Sequence, residues 1–250
     1  MGRIAEEIME EIKLIVDNDP KSPIAETYRS IRTNLQFAGA GRELKYICFT
    51  SSVPGEGKST TISNLALTLA QDGKKVLLVD CDLRKPVQHK IFGVINQGIT
   101  NCLAQDVPFA QVLHPEVFHN LDLLTSGPVP PNPSELIGSE KMDQLLQQIG
   151  EGYDYVLLDL PPVLAVTDAA LLGNLADGVV LVVYSGMVTP EEVQEAKKRL
   201  QAGKANILGV VLNGVPRKHS GYGYGYGYYY YDYYDENHVK HTKKKAKSKE

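Results

Sequence analysis

The chain is poor in cysteine, which excludes several classes of secreted and metal-binding protein. It has 3 cysteines in 250 residues, and no two of them form a C-x-x-C pair. A disulfide framework, or a zinc site made of paired cysteines, is therefore excluded. Cys48 and Cys81 lie in or beside apolar segments, so we expect buried free thiols in a reducing cytoplasm.

The chain also has no long apolar segment. No stretch approaches the roughly 18 to 20 apolar residues that span a bilayer, and the start "MGRIAEEIME" lacks the apolar core of a signal peptide. Glu6 stands where a myristoylation signal has Ser or Thr. We therefore expect a cytoplasmic protein that is recruited to the inner face of the cell membrane through a partner.

A large net charge is missing as well. The formal net charge is −4, which gives no basis for binding nucleic acid through bulk electrostatics, and we expect no nucleic-acid partner. The composition, 43% apolar and 22% charged, is ordinary for a globular protein. A chain of 250 residues is long enough for one large α/β domain or two small ones.

Apolar segments rich in β-branched residues alternate with amphipathic segments. The first kind predicts buried strands at residues 46–51, 75–80, 153–159, 178–184 and 207–213, with a weaker one at 120–126. The second kind predicts helices at 58–71, 134–150, 167–175 and 189–202. A further helix begins after Ser22 and Pro23. The pattern predicts an α/β fold: a twisted, mostly parallel sheet with helices on both faces.

The composition changes sharply at Pro216. We divide the chain into an N-terminal segment (1–20), a main domain (21–215) that begins with a helix at about 22–40, and a tail (216–250). The tail is of low complexity, is predicted to be disordered when alone, and has a basic end. It holds 9 of the 14 tyrosines, between residues 222 and 234. They are Tyr222, Tyr224, Tyr226, Tyr228, Tyr229, Tyr230, Tyr231, Tyr233 and Tyr234.

The segment "FTSSVPGEGKSTT" joins the first strand to the helix at 58–71, which is the setting of a phosphate-binding loop. Glycines let backbone N–H groups converge on an anion, and the helix N-terminus adds its dipole. Ser52 replaces the first glycine of G-x-x-x-x-G-K-[ST], and a glycine turn with a chance Lys-Ser pair is the alternative. The nucleotide-binding residues predicted here are Pro54, Gly55, Glu56, Gly57, Lys58, Ser59 and Thr60.

Three aspartates stand where predicted strands end. Asp80 and Asp82 are two residues apart in "VLLVDCDLRKP", so in an extended segment their carboxylates point to the same side. Asp159 ends another strand in "YVLLDLPP". Ligands of parallel sheets bind at the carboxyl ends of the strands. Each aspartate alone is equally typical of a turn or a helix cap, but together they predict a Mg²⁺ and phosphate site with Ser59.

These motifs resemble those of the bacterial tyrosine kinases, P-loop NTPases related to the Min and Par ATPases. "SSVPGEGKST", "LLVDCDLRKP" and "VLLDLPPVLAVTDAALL" are similar to their Walker A, A′ and B motifs, and "GPVPPNPSELI" and "ETYRSIRTNLQF" are also similar. The family has a C-terminal tyrosine cluster too. Leu160 replaces its usual Thr, and Val53 stands where Min and Par ATPases have an extra lysine. That difference argues against their dimer-sandwich mechanism.

The resemblance implies an ATP- and Mg²⁺-dependent protein-tyrosine kinase that phosphorylates its own tail in trans. Asp80 is implied to orient or deprotonate the hydroxyl, or to bind metal, while Asp82 and Asp159 hold Mg²⁺. Lys58 is implied to bind the transferred phosphate. Two further roles stay open from the residues alone. Arg84 either balances charge at the site or pairs with a neighbouring subunit, and Asn213 either contacts the adenine or caps a strand end.

The resemblance also implies an assembly and partners. On the residues alone, Glu26, Arg29 and Arg32 predict a solvated charged stripe with weak ion pairs. In the family, E-x-x-R-x-x-R marks the interface of a ring, such as an octamer. The implied partners are a membrane-anchored activator of the polysaccharide co-polymerase type, substrate proteins of sugar-nucleotide or polysaccharide metabolism, and a phosphotyrosine phosphatase. The implied role is regulation of capsular or extracellular polysaccharide synthesis.

Two other functions fit parts of the sequence. One is a non-kinase P-loop ATPase that acts as a positioning or assembly switch, and the other is a structural adaptor whose ATP site only controls assembly. A Gly/Tyr tail can also serve as an adhesive segment, although this leaves the nucleotide site unexplained.

Overall fold

The structure, a computed structural model, describes residues 14–39 and 41–216. The nine predicted phosphoacceptor tyrosines of 222–234, the basic end and residues 1–13 lie outside the described residues. Within them, no helix combines the length and the apolar character needed to cross a membrane.

A seven-stranded sheet forms the centre of the fold, in the order β3-β4-β2-β5-β1-β6-β7. All neighbouring strands are parallel except β3 and β4. Their bounds are β1 (Tyr46–Ser51), β2 (Val76–Asp80), β3 (His114–Phe118), β4 (Leu121–Leu124), β5 (Tyr155–Asp159), β6 (Gly178–Tyr184) and β7 (Ile207–Asn213). The predicted α/β P-loop fold is confirmed.

Helices cover both faces of the sheet, because its central strands are apolar on both sides. One face packs against α2 and α3, and the other packs against helices that follow β2, β4, β5 and β6. The helices are α1 (Ile15–Asn18), α2 (Pro23–Ala38), α3 (Lys58–Gln71), α4 (Gln88–Ile91), α5 (Ile99–Gln105), α6 (Phe109–Val112), α7 (Pro133–Ile137), α8 (Glu140–Ile149), α9 (Asp168–Leu175) and α10 (Pro190–Ala202).

The short helices α1, α4, α5 and α6 were not predicted, and two further elements differ from the sequence prediction. The single helix predicted at 134–150 is wrong, because Gly138 ends α7 and the Ser139 hydroxyl accepts a hydrogen bond from Met142 N–H to begin α8. Strand β3 was not predicted. It is a short antiparallel edge strand with an irregular register, and Glu116 lies in the left-handed region at φ 47°.

The two cysteines predicted to be buried have no exposed surface, and all three cysteines are free thiols. Cys102 is partly exposed. Burial raises the pKa of the Cys48 thiol, so this group is an apolar packing element of the core rather than a nucleophile.

Candidate functional site

The loop between β1 and α3 is shaped to bind an anion. Gly55 and Gly57 lie in the left-handed region, at φ 91° and 84°, which glycine adopts without strain. A Cβ at Gly57 would collide with the amide nitrogen of Asn213. No side chain caps the N-terminus of α3, so its first N–H groups are free to bind phosphate oxygens.

The buried side chain of Glu56 fixes the conformation of this loop through hydrogen bonds. Its side chain is fully buried, and its carboxylate accepts hydrogen bonds from Val53 N–H at 2.8 Å and from Tyr184 N–H at 3.1 Å. The Glu56 carbonyl accepts a third hydrogen bond, from Asn213 Nδ2 at 3.1 Å. The phosphate loop is therefore fastened to the ends of β6 and β7. The sequence placed Glu56 in the loop but gave no indication that its side chain turns inward.

Replacing Glu56 by alanine is expected to raise the KM for ATP about tenfold, because two buried N–H groups lose a charged acceptor and the loop loosens. A smaller change in kcat is expected, since the carboxylate does not touch the transferred group. Steady-state kinetics at varied ATP check this. Glu43→Ala, at an exposed position, is the control. An unchanged KM for ATP would mean that other contacts hold the loop.

Lys58 lies among carboxylates. Its ammonium group is 3.1 Å from Asp82 Oδ2 and 3.2 Å from Asp159 Oδ1, and it also donates to Ser59 Oγ at 3.1 Å. Burial lowers the pKa of Lys58, but Asp159 and Asp82 more than offset this, and the net shift is upward. Lys58 is therefore a permanent positive charge that neutralises two acids at the end of the sheet.

Asp80 is the most perturbed acid of the site. Its carboxylate accepts hydrogen bonds from the N–H groups of Asp82, Val87 and Gln88 at 3.0 to 3.2 Å. Burial, followed by the negative charge of Asp159, raises its pKa to about 7. A carboxyl group that titrates near neutral pH is suited to exchange a proton with a substrate.

The raised pKa predicts how stability depends on pH when nucleotide and Mg²⁺ are absent. The folded protein binds the Asp80 proton more tightly than the unfolded chain does. This contribution to stability is complete below about pH 4 and is lost as the pH rises through about 7. Relative to Asp80→Asn, the wild-type free energy of unfolding should therefore fall between pH 5 and 7, by at most about 1.4 kcal/mol per pH unit. Urea unfolding of both proteins at several pH values measures this difference. If the free energies of unfolding of the wild type and of Asp80→Asn change in parallel with pH, the prediction is wrong.

Sequence reasoning missed Gln88, which ties the acids together. This fully buried side chain donates to Asp159 Oδ2 at 2.7 Å, while its Oε1 accepts from Ser63 Oγ at 2.7 Å. Its backbone N–H bonds to Asp80. No motif marks this glutamine, because it stands eight residues beyond Asp80 and only the fold brings it back.

The residues predicted to bind metal lie close together, but they do not form a complete set of metal ligands. Among residues 14–39 and 41–216, no three His, Cys, Asp or Glu side chains are grouped as a metal site. The assignment of Asp80, Asp82 and Asp159 to the ion therefore stays a prediction, and the Lys58 ammonium pairs with two of these acids. The residues do fit Mg²⁺ in its usual protein setting, with one or two carboxylates and the remaining ligands from phosphate and water. Asp82 and Ser59 are placed for that.

Arg84 does not contact this cluster, and its role as a nucleotide ligand stays a prediction. Its Nε is 3.1 Å from Oδ2 of the fully buried Asp168, and its Nη2 donates to Ser134 Oγ at 2.6 Å. Asn213 does lie against the phosphate loop. Pro54 and Gly55 are exposed at the loop tip, and Thr60 is partly exposed in the first turn of α3.

The charged residues of α2 are paired within the chain. Arg29 Nη1 is 2.8 Å from Glu26, three residues before it. Arg32 reaches beyond the helix to Asp72, at 3.1 Å, and donates to Thr68 O at 3.4 Å. The Nε atom of Arg32 is buried without a hydrogen-bond partner.

Comparison with known proteins shows the family of the chain. The family described as "AAA domain" matches residues 44–203. The chain is 48% identical to Tyrosine-protein kinase YwqD of Bacillus subtilis over 211 residues, covering 84% of this chain and 89% of that protein. It is 39% identical to the Putative tyrosine-protein kinase CapB of Staphylococcus aureus, covering 84% and 92%.

Solved structures agree with these relatives. The fold superposes on the chimerical protein CapA2B2 with a TM-score of 0.78 and 44% identity, covering 82% of this chain and 90% of that one. The septum site-determining protein MinD of Pyrococcus horikoshii, complexed with Mg-ADP, shares the fold at 24% identity and a TM-score of 0.55, covering 67% and 69%. The identity to YwqD and CapB extends over almost their whole length, so the chain belongs to the bacterial tyrosine-protein kinases, within the P-loop NTPases.

Proposed function

We propose that this kinase transfers the γ-phosphoryl group of ATP to the tyrosines of 222–234 in a neighbouring copy of the chain. The observation that carries the proposal is the meeting of Lys58, Asp80, Asp82 and Asp159 beside an uncapped helix N-terminus. That segment contains nine tyrosines, so we propose that it is the first substrate of the kinase.

Each side chain has a proposed role. Lys58 neutralises charge on the transferred group, and Asp80 orients the phenol and accepts its proton. A bond forms between the phenol oxygen and the γ-phosphorus, the bond from that phosphorus to the β–γ bridging oxygen breaks, and ADP leaves. Asp82 and Ser59 hold Mg²⁺, with Asp159 fixed by Gln88 and Lys58. Mg²⁺ would supply charge neutralisation at the phosphates when bound.

The loop residues that surround the cluster complete the proposed nucleotide site. The free N–H groups of α3 and the turn at Gly55 and Gly57 receive the β- and γ-phosphates. Asn213 anchors the loop through the Glu56 carbonyl, and its proposed role is to contact the adenine. In MinD, Mg-ADP is bound on the same fold, which supports ATP with Mg²⁺ as the substrate pair here.

We also propose the biological setting that the relatives suggest. CapA2B2 is a chimerical protein, and the Staphylococcus aureus relative is CapB. This supports a second, CapA-type component as membrane-anchored activator, which would bring the kinase to the inner face of the membrane. The proposal also includes a role in regulating capsular or extracellular polysaccharide synthesis. It further includes substrate proteins from that metabolism and an opposing phosphatase.

A ring of subunits is proposed as the active assembly, with Glu26, Arg29 and Arg32 at its interface. The ion pair within α2 leaves Glu26 and Arg29 about one third exposed, and Arg32 keeps 21% of its side chain exposed, so all three are accessible to a neighbouring subunit. A ring places each tail near the next subunit's site, which favours phosphorylation in trans.

Incubation with γ-labelled ATP and Mg²⁺ tests the function, in the presence of the activator's cytoplasmic segment where one is required. Label on tyrosine supports the kinase, whereas free phosphate alone supports the ATPase switch. A variant with alanine at all nine tail tyrosines should lose self-labelling and still label an added tyrosine substrate. If that variant folds and binds ATP but labels nothing, the tail is part of the catalytic site.

A further inference from the structure

The segment from Gly127 to Pro133, here called the proline loop, has no part in the site described so far. It joins β4 to α7 and contains four prolines, at 128, 130, 131 and 133. Pro128, Val129, Pro131 and Asn132 are exposed, and 59% of Val129 is open to solvent. An exposed apolar segment of this kind needs a reason, because a loop that serves only as a connection is normally polar.

The strand order places this loop beside the catalytic acids. β4 is parallel to β2, with Leu124 opposite Val79, so the chain leaves β4 at the same end of the sheet as Asp80, and the loop begins three residues after Leu124. The phosphate loop and Asn213 lie on the other side of Asp80, after β1 and β7. In phosphoryl transfer the attacking and leaving oxygens are roughly in line. With the nucleotide on the β1–β7 side, the acceptor hydroxyl approaches from the β2–β4 side, where the proline loop lies.

Both ends of the proline loop are fixed. At its start, the side-chain amide of Asn96 donates to the Gly127 carbonyl at 2.8 Å and accepts from Gly127 N–H at 3.0 Å. At its end, Ser134 Oγ lies 2.6 Å from Arg84 Nη2 and 2.7 Å from Asp168 Oδ1. Because Arg84 belongs to the same loop as Asp82, the proline loop is fastened to the segment that carries the catalytic acids.

The exposed surface of the loop favours an aromatic partner. Proline has no N–H and a fixed φ, so a proline-rich segment is extended in advance and binds at low entropic cost. Such segments are recognised by aromatic side chains that lie against the pyrrolidine rings. The richest source of aromatic residues in this sequence is the segment 221–234, where glycines between the tyrosines permit close approach of the two backbones.

We propose that the proline loop is the docking site for the acceptor segment, residues 221–234 of a second copy of the chain. One tyrosine enters the site while its neighbours lie against Val129 and the prolines. The inference rests on the proposed function, since it names the surface that receives the acceptor. When the aromatic side chains of the neighbouring tyrosines are bound to the loop, the local concentration of the reacting tyrosine at the acids rises. These side chains do not contact the nucleotide.

The test separates the catalytic copy from the acceptor copy. The catalyst is the full chain with alanine at the nine tail tyrosines, and the acceptor is the full chain carrying Lys58→Met. Label transfer from γ-labelled ATP is measured at varied acceptor and at varied ATP. Val129→Ser is placed either in the catalyst or in the acceptor. Val210→Ser is the matched control, because Val210 is 57% exposed against 59% for Val129 and lies in β7 at the opposite edge of the sheet.

Val129→Ser in the catalyst is expected to raise the KM for the acceptor about fivefold, through loss of apolar contact. The KM for ATP and the rate at saturating acceptor should stay within a factor of two. The same change in the acceptor, and Val210→Ser in the catalyst, should have no effect. The inference is overturned if Val129→Ser in the catalyst behaves like Val210→Ser, or if it lowers the saturated rate instead. Absence of label with the unaltered catalyst overturns the proposed function, and this inference with it.

Discussion

Replacing Lys58 by methionine is expected to reduce tyrosine phosphorylation at least ~100-fold, because it removes the cation placed to neutralise the transferred phosphoryl group. In the described residues, Lys58 is the cation paired with both Asp82 and Asp159. Without it, two buried acids lose their counter-charge, and the phosphates of ATP meet three carboxylates. Nucleotide affinity should therefore fall together with the rate.

The same substitution should also lower stability. Asp159 is fully buried, and only 12% of the Lys58 side chain is exposed, so the free energy of unfolding should fall by about 3 kcal/mol when the pair is broken. The activity assay is therefore run at a temperature where circular dichroism shows a folded protein. Lys141→Met is the control, since Lys141 is 57% exposed and pairs with an exposed Asp106. If the Lys58 variant keeps more than a tenth of wild-type labelling, another residue carries this role.

The sequence was sufficient to predict the parts of the fold that follow a strict pattern. The strands at 46–51, 178–184 and 207–213 were predicted with the observed bounds, because apolar segments rich in β-branched residues are typical of parallel strands. The prediction that 207–213 is buried was wrong, since β7 is an edge strand with no buried residue. The phosphate loop was predictable because a glycine-rich turn between a strand and a helix has few other uses. The break at Gly138 was missed, although the Gly-Ser pair before α8 is a recognisable end and cap.

Side-chain pairing in the site was less predictable, since it depends on residues distant in the sequence. Arg84 lies in the A′ motif, and nothing in the sequence indicates that Asp168, 84 residues later, binds it. Gln88 and the inward turn of Glu56 are similar cases. Loops and the short helix α4 position these residues by tertiary contacts, and such irregular segments have no periodicity from which to predict the contacts.

A large effect of phosphorylation on assembly is also expected. Each phosphotyrosine adds between −1.5 and −2 charges near neutral pH, so nine of them add roughly −14 to −18 per chain. The unmodified chain carries −4. We expect heavily phosphorylated protein to be mostly monomeric, whereas phosphatase-treated protein, or the Lys58→Met variant, forms the larger ring.

The physical reason is repulsion between the phosphorylated tail and the catalytic acids. An unmodified phenol can lie beside Asp80, Asp82 and Asp159, but a phosphorylated one meets the same acids as a like charge. These acids are 0 to 4% exposed, so solvent and salt screen the repulsion weakly. Docking of a neighbour's tail therefore stabilises the ring before phosphorylation and opposes it afterwards.

Light scattering of the phosphorylated and phosphatase-treated forms, at matched concentration and salt, measures the change. Replacing both Arg29 and Arg32 by alanine should give monomer in either form, because the proposed α2 interface is lost. Arg199→Ala is the matched control, since Arg199 also pairs with a glutamate of its own helix, Glu195 at 3.1 Å, and should leave the ring intact. Because Arg32 also binds Asp72 within the chain, thermal unfolding must show that the double variant is folded. Equal masses for the two wild-type forms would show that the charge of the phosphorylated tail does not control assembly, even if the kinase assay succeeds. Catalysis needs only transient docking of the tail, whereas a ring needs docking that persists.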